Sequence, residues 1–189
     1  MLYDFLRAIR NEHGWSRSAF VLSLTVLIAI ILVGVIAYQI QFHALEEGIV
    51  ADKILVEKSS RTLTLFRNGV PLKSYSVALG GQPVGKKQLK GDGKTPEGDY
   101  IIDWHHPNSD FHLALHISYP NSTDVASAAA RDTIPGGEIM IHGIRNGLGF
   151  IGPLHRLFDW TQGCVALTDA EIEELYRAVP DGTPIEIRP

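Results

Sequence analysis

One cysteine, two methionines and no surplus of positive charge set the first bounds on this 189-residue chain. A lone cysteine, Cys164, excludes a disulfide-stapled mini-protein, whose fold needs several bridges. Seventeen basic residues against 21 acidic give a net charge of −4, with histidine neutral. That balance excludes a general nucleic-acid binder, because neutralising phosphates takes an excess of Lys and Arg. There is no internal repeat and no low-complexity stretch. With 45% hydrophobic residues, ten prolines and 18 glycines, the chain is neither disordered nor collagen-like.

One segment supplies most of the hydropathy. Ala19 to Tyr38 holds 20 residues without a charge, about 30 Å of helix, which matches a bilayer's hydrocarbon core. A buried core helix would show a polar stripe, and this run is apolar all round. A cleaved signal peptide would have a shorter apolar stretch and a small-x-small site, whereas Phe42-His43-Ala44 puts a ring there. The reading is a retained anchor over 18–40. Arg7, Arg10 and Arg17 precede it and Glu46, Glu47 and Asp52 follow. The positive-inside rule then keeps residues 1–17 cytoplasmic and the remainder outside. In a bacterium this means a single-pass inner-membrane protein with a periplasmic domain.

Residues 41–51 form a linker, and 52–189 are one domain. From Glu46 onward there are 14 basic and 19 acidic residues, so no polyanion-binding surface is expected. Strand formers cluster at Ile54–Glu57, Thr62–Phe66, Leu72–Ala78, Tyr100–Trp104, His112–Tyr119, Glu138–His142 and Thr183–Ile187. Asn68-Gly69 is a turn dipeptide. Gln82–Gly98 reads as a long loop whose four lysines are solvated. Ser122–Arg131 is a short helix candidate. Asp169–Ala178 is the firm helix: Thr168 caps it, Glu171 completes a capping box and Pro180 stops it. Many short strands with one or two helices predict a mostly β fold, a β-sandwich or partial barrel.

Cys164 lies in Thr161-Gln162-Gly163-Cys164-Val165, a glycine-containing turn just before that helix. As an arbitrary lone cysteine it would be a buried small hydrophobe. In this turn backbone N–H groups can face a bound carbonyl, which makes it a candidate thiol nucleophile with an oxyanion site. A thiol needs a base. His142, at the end of a strand and followed by Gly143, is the best placed, with His155 and His116 next.

Ile141-His142-Gly143, Thr161-x-Gly163-Cys164 and Gly182-Thr183-Pro184-Ile185-Glu186-Ile187, taken in order, resemble the L,D-transpeptidase catalytic domain (the YkuD-like family). Lys94-Thr95-Pro96-Glu97-Gly98-Asp99-Tyr100 is similar to that family's TP-x-G turn. The resemblance covers Lys53 to Pro189. It implies Cys164 as nucleophile, His142 as general base and acid, the Gly143 carbonyl as the group orienting His142, and Gly163 in the oxyanion turn. It also implies peptidoglycan stem peptides as acyl donor and acceptor, and no metal or other cofactor. An imidazolium–thiolate pair would lower the thiol's pKa.

The chain departs from the commonest family pattern at two positions. Gln162 stands where a histidine precedes the Gly-Cys pair, and Ala166 stands where Arg or Asn follows. Thr161 and Gln162, with His155, Arg145 and Arg156 from the longer intervening segment, are the candidate substrate-binding residues. Three alternatives stay open. The first is a hydrolase of the L,D-carboxypeptidase or amidase type, acting on peptidoglycan or its protein links. The second is a metal-dependent peptidase using His105, His106, His112 and His116. The third is an inactive wall-binding module.

Overall fold

A computed structural model describes residues 16–41 and 44–189 and, within the first helix, the side chains of 18–34. Residues 1–15, with Arg7 and Arg10, lie outside the described residues, as do 42 and 43 of the expected linker. Helix α1 runs over Arg17–Gln41. Its described side chains end at Gly34, and among the described residues no helix is long and apolar enough to cross a membrane. The chain divides into two units between Ala44 and Leu45.

The second unit, Leu45–Pro189, contains β1 (Lys53–Glu57), β2 (Thr62–Arg67), β3 (Val70–Ser76), β4 (Gly98–Ser109) and β5 (His112–Ile117), then α2 (Ser122–Ala129) and β6 (Met140–His142). A 3-10 segment (Gly149–Leu157), β7 (Val165–Ala166), α3 (Asp169–Ala178) and β8 (Pro184–Arg188) follow. The strands form one mixed sheet in the order β3-β2-β1-β8-β4-β5-β6-β7. The β1–β8 and β6–β7 pairs are parallel and the others antiparallel.

β3 and β7 are the two ends of that order, yet the chain just beyond β3 reaches back to β7. Ala78 and Ala166 exchange backbone hydrogen bonds of 3.0 and 2.8 Å, and Gly80 bridges Thr161. The strip therefore curls onto itself as a partial barrel. Alternation puts Ile54, Val56, Leu63, Leu65, Ile102, Leu115, Ile117, Ile141, Ile185 and Ile187 inside. Ile172 and Leu175 of α3 join the same core, fully buried.

Several boundaries differ from the sequence reading for identifiable reasons. β4 continues through His105, His106 and Pro107 to Ser109, because β5 offers it partners as far as His112 and a register shift between His106 and Ser109 accommodates the proline. β6 starts at Met140, since Glu138 has φ +55° and cannot lie in a strand. α2 is capped by a reciprocal Asn121–Asp124 box. α3 has the expected span, with the Thr168–Glu171 box in place.

The loop over 82–98 is not a solvated lysine tip. Lys87 is 4% exposed and donates to Asp92 at 2.8 Å and to the Leu89 carbonyl at 3.2 Å. Lys86 pairs with the buried Asp124 at 2.8 Å. Below the loop, the buried Lys58 ammonium donates to Glu97 and to the carbonyls of Gly85 and Thr95. A buried cation survives only with its donors matched, so these bonds fasten the loop to the sheet.

Candidate active site

The parallel register Ile141↔Val165 and His142↔Ala166 places Met140 opposite Cys164. Side chains alternate across a strand, so Met140, His142 and Cys164 share one face, with His142 one pleat beyond the cysteine. That face is the floor of a cleft of about 770 Å³ lined by Cys164, His142, Thr161, Gln162, Arg145 and His155, among others.

The turn carrying Cys164 is held from within. The Thr161 hydroxyl donates to the Cys164 carbonyl at 2.8 Å and accepts the Gly163 N–H at 3.1 Å. Gly163 has φ +129°, and a Cβ there would sit 2.5 Å from the Lys94 carbonyl oxygen. Only glycine fits that conformation against that wall. The Gly163 N–H is engaged by Thr161, so a bound carbonyl in this turn would need another donor.

Cys164 is half-buried. Its Sγ accepts the Met140 N–H at 3.4 Å and lies 3.6 Å from the Glu138 carbonyl, to which the thiol donates. The left-handed backbone of Glu138 turns that carbonyl toward the sulfur. His142 is 5% exposed. Its Nδ1 lies 2.7 Å from the Gly143 carbonyl oxygen, and because a carbonyl only accepts, Nδ1 carries the proton. Nε2 is then the basic nitrogen. Phe111 and Trp160 pack on the imidazole with ring centroids 4.5 and 5.7 Å away.

Burial pushes the Cys164 thiol up from its ordinary pKa, against the lowering influence of the Met140 N–H and of Lys87. Burial pushes His142 down, against its bond to Gly143. Both shifts favour uncharged forms. Together they favour a neutral thiol and a neutral imidazole over the imidazolium–thiolate pair expected from the sequence.

The remaining candidates separate. Arg145 is exposed at the cleft, and Gln162 is exposed beside the cysteine. Arg156 is not among the cleft-lining residues: it forms an ion pair with Glu171 of the α3 capping box. His155 is 3% exposed, with Trp160 donating to its Nδ1. His116 pairs with Asp103 at 2.6 Å. The histidines of the metal-peptidase alternative are engaged separately. His105 bonds Asp181 and the Tyr176 carbonyl, His112 bonds Glu173, and His106 packs edge-on against Trp104. Among the described residues no group of three or more His, Cys, Asp or Glu could hold a metal ion.

Sequence reasoning missed Glu138, Met140, Phe111 and Trp160. Trp160 borders the Thr161 turn and could have been flagged by adjacency. Phe111 comes from the β4–β5 hairpin, which no local signal connects to His142. Asp169, the first residue of α3, has a second role: its carboxylate accepts the Ile144 N–H at 2.8 Å and braces the segment after His142.

A curled mixed sheet that presents a thiol and an imidazole on one cleft floor has the make-up of a catalytic domain. Residues 51–187 match the family model described as YkuD, the L,D-transpeptidase catalytic domain, and the chain belongs to that family. It is 30% identical over 132 residues to "Putative L,D-transpeptidase YafK" of Escherichia coli (strain K12), covering 67% of this chain and 46% of that protein. The chain thus spans about half the length of the curated relatives it matches. Among solved structures, Bd1075 of Bdellovibrio bacteriovorus superposes with a TM-score of 0.52 at 30% identity, covering 76% of this chain and 51% of that one. The helical cell shape determining protein Pgp2 of Campylobacter jejuni has the same fold, with a TM-score of 0.55 at 22% identity over 76% of this chain and 50% of that one.

Proposed function

We propose that this protein is an acyltransferase acting on peptidoglycan stem peptides, with Cys164 as nucleophile and His142 as general base and acid. The observation that carries this reading is their common position on the cleft floor, within a family named for L,D-transpeptidation. The thiol swings from the Glu138 carbonyl toward His142. As Sγ attacks the carbonyl carbon of the third stem residue, Nε2 takes its proton, so charge develops only during the reaction. The C–N bond to the terminal D-alanine breaks, and the imidazolium returns the proton to the departing amine. The thioester then meets the amine of a second stem. Its nitrogen bonds to the acyl carbon, its proton passes to His142, and the sulfur leaves and is reprotonated.

The oxyanion needs a donor other than Gly163. The Cys164 N–H is the candidate, since among the described residues it has no hydrogen-bond partner. Arg145, exposed on the cleft wall, suits a stem carboxylate. The uncharged run Ala19–Tyr38 would anchor the domain to the inner membrane with its amino end cytoplasmic. Resistance of the full chain to alkaline extraction tests that part.

The central test is intact-mass analysis with a tetrapeptide stem donor. An adduct on the wild type that Cys164→Ser lacks is expected, and it should yield a cross-linked dimer when an amine acceptor is added. If the adduct yields only free tripeptide, water is the acceptor and the enzyme is a hydrolase. If no adduct forms on the wild type, the acyl-transfer reading fails.

A further inference from the structure

His155 lines the same cleft as Cys164 and His142 and is 3% exposed. Its two nitrogens stand in different situations. Trp160 Nε1 lies 3.4 Å from Nδ1, and an indole N–H only donates, so Nδ1 is the acceptor. A neutral imidazole accepting at Nδ1 carries its hydrogen on Nε2. That nitrogen is buried and, among the described residues, has no hydrogen-bond partner. Burial, with Arg156 and His142 nearby, pushes the pKa of His155 down to about 4, so the ring stays neutral well below pH 7. Buried donors in folded proteins are nearly always matched, and an unmatched one beside a cleft calls for a partner from outside the chain.

We propose that His155 is a substrate-binding residue whose Nε2–H donates to an oxygen of the acyl donor held in the cleft. The proposal rests on the acyl-transfer reading above and gives that site an uncharged donor on its wall. It also separates His155 from a proton shuttle: a ring locked in one tautomer and resistant to protonation can donate a hydrogen bond but does not cycle a proton. Two oxygens of the donor have the right chemistry, the scissile carbonyl and the carboxylate of the departing residue. Because Nε2 is closed off in the free chain, engagement includes a shift of the turn Pro153–Leu157. The break at Gly152, with φ 49° and ψ −133°, already separates that turn from the one before it.

The first arm of the test needs no substrate. Nitrogen-15 spectra of the full chain should show His155 as the Nε2–H tautomer with no protonation step between pH 5 and 8. An Nδ1–H tautomer, or titration near 6.5, overturns the proposal. The second arm measures the rate of Cys164 acylation by a tetrapeptide donor and by its C-terminal amide. His155→Phe should lower the rate on the tetrapeptide about 10²-fold, the scale of losing one well-placed donor, while alkylation of Cys164 by iodoacetamide stays within twofold. His155→Gln, which restores an N–H donor, should recover at least tenfold of the loss. A loss that persists on the amide assigns the contact to the scissile carbonyl, and one that disappears there assigns it to the carboxylate. Equal rates for wild type and His155→Phe on both donors overturn the proposal. If the wild type itself forms no adduct, the acyl-transfer reading is what fails, and peptide titration then decides on His155. A shift of its Nε2 proton signal sustains the contact, and an unmoved signal removes it.

Discussion

The Thr161 hydroxyl donates to the Cys164 carbonyl at 2.8 Å while accepting the Gly163 N–H, so one side chain closes the turn that presents the thiol. Replacing it with valine keeps the shape and strands both backbone groups. Thr161→Val should destabilise the domain by about 1–3 kcal/mol and slow acylation at least tenfold, while Thr161→Ser stays near wild type. Urea denaturation and adduct formation measure the two effects.

Gly163→Ala tests the same turn from its other side. A Cβ would meet the Lys94 carbonyl at 2.5 Å in a backbone region that side chains avoid. The variant should lose several kcal/mol of stability, the order expected of combined backbone strain and overpacking. Unchanged melting together with unchanged acylation would mean the turn is far more plastic than its contacts suggest.

The neutral resting pair has a kinetic signature. Alkylation of Cys164 should rise with pH through a midpoint above 9.0, the thiol's ordinary value. Turnover should decline only below pH 6.5, because His142 titrates beneath that value. A flat alkylation rate extending below pH 7 would reveal a preformed thiolate and contradict this assignment.

Folding stability should depend on pH in a defined window. In the unfolded chain His155 titrates near 6.5, and in the folded chain at about 4. Above pH 6.5 both states are neutral and nothing is lost. As pH falls from 6.5 toward 4 the unfolded chain binds a proton that the folded one refuses, so stability drops. One histidine contributes about 1.4 kcal/mol per pH unit, or about 2 kcal/mol at pH 5. His142 is shifted in the same direction. Urea midpoints at pH 7 and 5 should show a smaller drop in His155→Gln than in wild type.

The buried Lys87–Asp92 pair makes a prediction about the loop. Burial opposes ionisation of Asp92, but N–H groups of Gln88, Leu89 and Lys94, together with Lys87, hold its carboxyl below the usual range. Asp92→Ala leaves the ammonium buried without its carboxylate and should cost about 3–5 kcal/mol. The double change Lys87→Met with Asp92→Asn should recover part of that loss in a melting experiment. Lys87→Met should also raise the Cys164 alkylation midpoint further, since Lys87 favours the thiolate.

Features governed by adjacent residues were legible in the chain alone. The α3 cap, the Asn68-Gly69 turn, the strand ending at His142 and the glycine turn before α3 all follow from local chemistry. What was not legible depends on pairing between distant segments. β4 runs past its expected end because β5 supplies partners, and Lys87 looks like a loop-tip charge until Asp92 folds beneath it. The thiol's shift is a matter of enclosure, and no spacing of residues reports enclosure. Arg156 had the right charge and neighbourhood for a substrate contact, but Glu171, already placed by the capping box, claims it.

β8 is the last strand of the domain in chain order, yet it lies between β1 and β4, near the middle of the sheet. A chain emerging amino end first would deliver the β1–β3 meander and the β4–β5 hairpin as separate halves without the plank between them. Assembly of the sheet would then wait for residues 184–188, which makes loss of that short strand far more damaging than the few residues involved would suggest.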